Sequence, residues 1–354
     1  MTVSSSIRVR HRGRHDLPCA SQACAARCQV ERVPPMHAEP WGRNSILVWT
    51  APDALIWIVR VLIIGCGYVG LPLGAELARL GHEVFGLTRS GRTAPALQER
   101  GIRPLAGDIT RRAELDALPT PFDWVVNTVS SNQGGLEEYR QIYLEGLRHV
   151  LQWLEASPPR KMVHVSSTSV YGQTDGSLVK ESSPAEPSGE LGQVLLAAER
   201  LLLEAVLTQK IPAVILRSAG IYGPGRGHLF LQYLKDEARI PGRGERLVNM
   251  IHRDDLAACI LTALKSGRPG EIYNASDDEP VPQIHFFRWL SETLGKNMPP
   301  FVREDEAAPR KRAITNKKVS NRKLRMELGC PLRYPTFRQG YTAEIQRLQD
   351  AGEL

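Results

Sequence analysis

Val61-Leu-Ile-Ile-Gly65-Cys-Gly67-Tyr-Val-Gly70 is the stretch that decides the fold. A short apolar strand runs into G-x-G-x-x-G, and Leu71 to Leu80 continues with helical spacing. A dinucleotide pyrophosphate needs close backbone approach, which only glycine permits. Gly65 allows the tight turn, Gly67 lets main chain touch a phosphate, and Gly70 lets the helix pack on the strand. The helix N-terminus then offers N–H groups and partial positive charge to the anion. Cys66, Tyr68 and Val69 share this turn and count with the glycines as cofactor-binding residues. The alternative is a strand-turn-helix with no ligand, and the strand before and helix after argue against it.

Outward from this turn, strand and helix alternate. Strands are expected at about 59–65, 82–89, 103–106, 124–127, 161–166 and 213–217, and helices at about 70–80, 93–100, 111–118, 136–156 and 190–208. Repeated β-α-β with short apolar strands means a parallel sheet covered on both faces. The fold class is therefore α/β, a Rossmann-type doubly wound sheet with a smaller C-terminal substrate-binding region. The Rossmann domain is placed at 59–222. The substrate-binding region is placed at 223–345, with segments returning to the sheet near Asn274, and 346–354 is a tail. The end of the second strand selects the cofactor. An acid there would grip ribose hydroxyls, whereas arginine suits a 2′-phosphate. Thr88-Arg89-Ser90 carries no carboxylate, so NADP(H) is expected over NAD(H), with a plain surface arginine as the alternative. Asp108, in Gly107-Asp-Ile, either accepts from the adenine amino group or caps the next helix.

Composition narrows the class. Hydrophobic content of 42% and charge of 23% are ordinary for a globular chain. No stretch approaches the roughly 20 apolar residues that cross a bilayer. The net charge of +7 is partly a tail effect, since residues 1–60 hold eight arginines against four acids. The remainder argues only weakly for a nucleic-acid partner. Residues 1–58 are Arg-, Pro- and Cys-rich without sustained period, so they read as a disordered tail, a spurious upstream extension or an organellar transit peptide. Cys19, Cys24 and Cys28 there make a poor zinc signature, and no metal site is expected. Cys66, Cys259 and Cys330 are scattered, which fits a reducing cytoplasm. The basic run from Arg310 to Arg325 reads as a solvated helix face or a contact to a phosphorylated substrate.

Further motifs recur in order: Gly107-Asp108, Ser166-Ser-Thr-Ser-Val-Tyr-Gly172, Arg217-Ser-Ala-Gly-Ile-Tyr-Gly-Pro-Gly225, Ile251-His-Arg-Asp-Asp255 and Tyr273-Asn-Ala-Ser276. With the glycine turn they resemble the extended short-chain dehydrogenase/reductases, the superfamily of nucleotide-sugar epimerases and dehydratases, over about residues 59–345. The glycine spacing departs from the usual G-x-x-G-x-x-G and resembles an atypical subgroup labelled NAD-dependent epimerase/dehydratase. The family's Tyr-x-x-x-Lys dyad would lower the tyrosine pKa and run the acid/base step. Matching Gly192 and Glu199 to the family puts Leu191 and Leu195 at those two positions, and leucine cannot transfer a proton. Ser167 falls where the family keeps a substrate-facing hydroxyl, with Ser166, Thr168 and Ser169 beside it. Tyr171 and Tyr222, just past strand ends, are the expected substitute proton donors at the rim. His164, inside a strand, is expected to be buried.

The resemblance implies that the region after residue 223 covers the substrate. Arg226, Arg246 and His252-Arg253 match basic positions that hold nucleotide diphosphates, and Arg226, Arg243 and Arg246 suit either an anionic substrate or ordinary loop charge. Asp254-Asp255 is expected to cap a helix over 256–265. A homodimer through the helices at 136–156 and 190–208 is a family-level expectation. Two functions follow. One is an NADP(H)-binding oxidoreductase or epimerase-like enzyme acting on a nucleotide-sugar or a small carbonyl or hydroxyl compound, with neither nucleic acid nor membrane as partner. The other is a non-catalytic NADP(H)-binding sensor or scaffold, which Leu191 and Leu195 favour.

Overall fold

The computed structural model describes residues 58–131, 134–306 and 314–354. The N-terminal extension up to residue 57, with its three cysteines, and the start of the basic run, Arg310 to Arg312, lie outside the described residues. Seven strands form one parallel sheet: β1 (Arg60–Ile64), β2 (Glu83–Thr88), β3 (Ile102–Ala106), β4 (Trp124–Asn127), β5 (Lys161–Ser167), β6 (Ala213–Ser218) and β7 (Ile272–Ala275). Their order across the sheet is β7-β6-β5-β4-β1-β2-β3. The order reverses between β1 and β4, which pair from Val61 with Trp124 to Ile64 with Asn127. That reversal opens the crevice in which doubly wound sheets bind ligands.

The helices are α1 (Gly70–Arg79), α2 (Ala94–Gln98), α3 (Arg112–Asp116), the run α4 (Leu136–Tyr139, Arg140–Glu145 and Gly146–Leu154), α5 (Glu190–Thr208), α6 (His228–Leu234), α7 (Arg253–Ser266), α8 (Gln283–Leu294), α9 (Arg322–Glu327) and α10 (Phe337–Asp350). Strand residues alternate between two faces, and β1 shows what this does. Val61 and Ile63 pack with Leu73 and Leu77 of α1 and with Leu256 and Ile260 of α7. Leu62 and Ile64 pack with Leu147 and Val150 of α4 and with Ala198 and Leu202 of α5. Both faces are covered, so β1 is apolar throughout rather than alternating. Each such side chain contributes about 1.5–3 kcal/mol of burial. A separate aromatic cluster of Tyr222, Phe230, Phe286, Phe287, Phe337 and Tyr341 forms the core of the C-terminal part. No helix among the described residues is long and apolar enough to cross a membrane.

Two local expectations need correction. The helix at 136–156 is not uniform, because Arg140–Glu145 is wound as a π-helix. The helix expected over 256–265 begins at Arg253, and its N-cap is His252, whose Nδ1 accepts from the Asp254 N–H at 3.2 Å. Asp255 instead accepts from the backbone N–H groups of Arg333 (2.7 Å) and Tyr334 (2.9 Å), tying the C-terminal segment to α7.

His164 on β5 is 2% exposed. Its Nδ1 has no hydrogen-bond partner among the described residues, and burial pushes its pKa down to about 4. Between the ordinary value near 6.5 and about 4, the unfolded chain binds a proton here and the folded chain does not. Stability contributed by neutral His164 is therefore complete above pH ~6.5 and is lost as pH falls toward 4. Urea midpoints should fall across this window, and less steeply in His164→Gln. Equal slopes in the two proteins would contradict this account.

Candidate functional site

At the C-terminal ends of the strands lies a cavity of about 520 Å³. Its wall follows the crevice from Thr88, Arg89, Ser90 and Asp108, past Gly65, Gly67, Tyr68 and Val69, to Ser167 and Ser218. The glycine turn is shaped by different demands at each position. Gly65 has φ +81°, and a Cβ there would lie 2.8 Å from the Val129 backbone. At Gly70 a Cβ would meet Ile63 Cγ2 at 2.9 Å, so this residue serves helix-strand packing and does not line the cavity. At Gly67 a Cβ would meet only the Gly65 carbonyl oxygen at 3.9 Å, and the residue faces the cavity. The N-cap of α1, Val69, makes no side-chain cap hydrogen bond, and no acid occupies the first turn. This turn, open at Gly67 and at the positive end of a helix, fits a dinucleotide pyrophosphate. Cys66 does not line the cavity. It packs under Gly86, and burial pushes its thiol up to about 12, so it is inert packing.

At the β2 end, Arg89 and Ser90 are exposed at the cavity edge. The Thr88 hydroxyl donates to the Ser90 carbonyl at 3.0 Å and accepts from Thr93 Oγ1 at 3.1 Å, which fixes the turn. The Arg89 guanidinium makes no hydrogen bond or ion pair among the described residues. Asp108 does not cap the following helix, whose N-cap is Arg111. Its Oδ1 accepts from the Thr110 N–H (2.9 Å) and hydroxyl (2.8 Å) in a local turn, and the residue lines the cavity.

At the opposite end Ser167 is half-buried, lines the cavity and accepts from the Ser169 N–H at 3.2 Å. Leu195 lines the cavity on α5, while Leu191 packs into the apolar cluster behind it. The two tyrosines expected at the rim are not there. Tyr171 is 0% exposed; its hydroxyl accepts from Arg217 at 2.9 Å and donates to Asn274 Oδ1 at 2.8 Å. Tyr222 is 1% exposed and stacks on Tyr341 with ring centroids 4.4 Å apart. Burial raises both phenols above the ordinary range, far more for Tyr222, with the Arg217 charge opposing the rise at Tyr171. Neither lines the cavity, so neither is placed to exchange a proton with a substrate. Both follow strands, but the chain turns their rings inward, where polar partners distant in sequence receive them.

Of the basic residues, Arg226 lines the cavity mouth, its guanidinium 4.9 Å from the centre of the Tyr68 ring. Arg253 lies over the same ring at 5.2 Å. Burial pushes the Tyr68 phenol up to about 12, and the two guanidinium charges oppose that rise. Arg246 and His252 lie off the cavity wall. Arg246 reaches Gln283 at 3.5 Å, and His252 is 3% exposed as a helix cap with burial holding its pKa down to about 4. The wall also contains residues the sequence did not single out, Thr128, Val129 and Ser130 after β4 and Ile142 and Tyr143 on the π-wound turn of α4, together with Ser218, Ala219 and Gly220 of the motif that begins at Arg217. A stretch of Thr and Ser after a strand was the available signal for the first of these. No periodicity signal marks the π turn. Among the described residues no group of three or more His, Cys, Asp or Glu side chains is placed to hold a metal ion.

Comparison with known proteins gives a consistent picture. A sequence profile of the NAD dependent epimerase/dehydratase family matches residues 61–276. Protein YeeZ of Escherichia coli (strain K12) is 28% identical over 286 residues, covering 78% of this chain and 96% of that protein. A dTDP-6-deoxy-L-talose 4-dehydrogenase (NAD(P)(+)) of Kitasatospora kifunensis is 34% identical over 211 residues, 56% of this chain and 64% of that protein. Among solved structures, DesIV, a dTDP-glucose 4,6-dehydratase of Streptomyces venezuelae with NAD bound, superposes with a TM-score of 0.72 at 23% identity, covering 82% of this chain and 97% of its own. That likeness is one of fold.

Proposed function

The chain belongs to the NAD dependent epimerase/dehydratase family, and from that premise we propose that it is an NADP(H)-preferring oxidoreductase or epimerase-like enzyme acting on a nucleotide-sugar or a small carbonyl or hydroxyl compound. The observation that carries the reading is one cavity that joins the open backbone at Gly67 to a polar strand-end wall at Ser167 and Ser218. When bound, the nicotinamide supplies or accepts hydride. The chain's own residues do the rest. Backbone at Gly65, Gly67 and Val69 receives the pyrophosphate. Arg89, with Thr88 and Ser90, meets a 2′-phosphate by charge-assisted hydrogen bonds. Ser167 hydrogen-bonds the substrate oxygen, and Arg226 at the mouth attracts an anionic substrate group. The (NAD(P)(+)) in the name of the Kitasatospora enzyme is in keeping with either dinucleotide.

Arg89→Ala tests the cofactor assignment. NADPH affinity should fall about tenfold to a hundredfold with NADH affinity unchanged, the worth of one charge-assisted hydrogen bond, as read by titrating nucleotide fluorescence. An unchanged NADPH/NADH ratio would overturn it. The second reading, a non-catalytic NADP(H) sensor or scaffold, is favoured by one observation: an aliphatic side chain, Leu195, lines the cavity, at the position that the family resemblance assigns to the lysine of the dyad.

A further inference from the structure

On the dinucleotide-dependent reading above, we propose that Tyr143 is the catalytic phenol of this site, exchanging a proton with the substrate oxygen in place of the dyad that Leu191 and Leu195 have replaced. Three observations carry this. Tyr143 lines the same cavity as Ser167, Leu195 and Ser130. It belongs with Leu191 and Leu195 to one apolar cluster, so its ring lies against the wall from which the dyad is missing. It also sits on the π-wound turn Arg140–Glu145. A π turn interrupts regular helix geometry and is frequently found at functional sites. Here the adjacent residues Ile142 and Tyr143 both reach the cavity wall.

The phenol oxygen already has a donor: the Ser131 backbone N–H points to it at 3.1 Å. An N–H donated to that oxygen favours phenolate, the role a lysine would otherwise serve. Glu138, which bonds to the same Ser131, is itself engaged. Its Oε2 accepts from Ser131 Oγ at 2.5 Å and from the Gly134 N–H at 2.8 Å. The Tyr139 ring packs on Tyr143 with centroids 4.8 Å apart. The other phenol on the cavity wall, Tyr68, stands under two guanidinium groups beside the glycine turn, away from the Ser167 end.

The proton balance is simple. In the reducing direction the carbonyl π bond breaks. The carbon gains a hydride from reduced nicotinamide dinucleotide, and the oxygen gains the proton whose O–H bond at Tyr143 breaks. Water then reprotonates the phenolate. In the oxidising direction the phenolate takes the hydroxyl proton as the C–H bond breaks, hydride passes to oxidised nicotinamide dinucleotide and the carbonyl π bond forms.

The test uses tyrosine labelled with carbon-13 at Cζ and titrated by NMR. The resonance missing in Tyr143→Phe identifies Tyr143, and the variant keeps the ring and its packing. With oxidised dinucleotide bound, the positive nicotinamide ring should lower the Tyr143 pKa by about one unit or more relative to the reduced form. Tyr143→Phe should bind both forms as the wild type does. If dinucleotide binds and this resonance titrates alike in both forms, Tyr143 is not the catalytic phenol and the cofactor reading stands. If neither dinucleotide binds to folded wild-type protein, the cofactor reading fails and takes this assignment with it.

Discussion

Gly67→Ala is expected to weaken dinucleotide binding at least about a hundredfold while leaving thermal stability unchanged. The added methyl meets nothing closer than the Gly65 carbonyl at 3.9 Å, and Gly67 is not among the positions with positive φ, so the fold has no reason to object. The methyl projects into the cradle and holds the pyrophosphate off the backbone N–H groups. Losing two charge-assisted hydrogen bonds of ~1.5 kcal/mol each amounts to more than a hundredfold in affinity. Gly65→Ala is the contrasting control. Its φ of +81° costs an alanine about 1–2 kcal/mol, and its Cβ would lie 2.8 Å from the Val129 backbone. That backbone follows β4, which is held in register with β1, and cannot yield cheaply. Gly65→Ala should therefore lose stability and binding together. Nucleotide titration and thermal melts separate the two cases. A Gly67→Ala protein that binds NADPH as the wild type does would show that no phosphate approaches the backbone here.

The contrast between these glycines also shows what the sequence made legible. The turn, the strands and the parallel sheet were readable because their physics is local. Glycine is the cheap solution to φ above zero, and a strand buried on both faces must be apolar throughout, as Val61–Ile64 is. The cavity wall at Thr88–Ser90 and Ser167 was readable for a related reason, since strand ends face the crevice in this topology. Tyr171 and Tyr222 depart from the expectation because position past a strand end does not decide whether a ring faces the cavity or the core. Tyr171 is drawn inward by Arg217 and Asn274, 46 and 103 residues away. Tyr222 is drawn inward by the aromatic cluster that includes Tyr341. His252 matches a ligand-holding position of the resembled family, yet its ring caps α7. Nothing in the sequence marks Tyr143, because a π turn changes which helix residues share a face and a 3.6-residue period cannot show that.

Glu199→Gln is expected to cost about 3–5 kcal/mol of folding stability, the usual consequence of stranding a buried charge. Glu199 and Arg217 side chains are 1% and 5% exposed, joined at 2.7 Å between Oε2 and Nη2 and at 3.1 Å from Nε to both carboxylate oxygens. Ser166 Oγ donates to Glu199 Oε1 at 2.6 Å. Arg217 continues to the Tyr171 hydroxyl and so to Asn274, whose Nδ2 donates to the Ser320 carbonyl at 3.1 Å. This chain of bonds links α5, β5, β6, β7 and the C-terminal segment directly behind Ser166 and Ser218, which line the cavity. Gln at 199 keeps the shape but leaves the guanidinium without a counter-charge. The pair as a whole is worth much less than either half suggests, because both ions were desolvated to form it. The double variant Glu199→Leu with Arg217→Met should therefore recover most of the loss in a urea-unfolding cycle. It should not recover dinucleotide-dependent turnover, because Ser166 and Tyr171 lose the partners that hold the Ser167 loop in place. A double variant as unstable as Glu199→Gln would mean that polar bonding, and not the uncompensated charge, sets the cost.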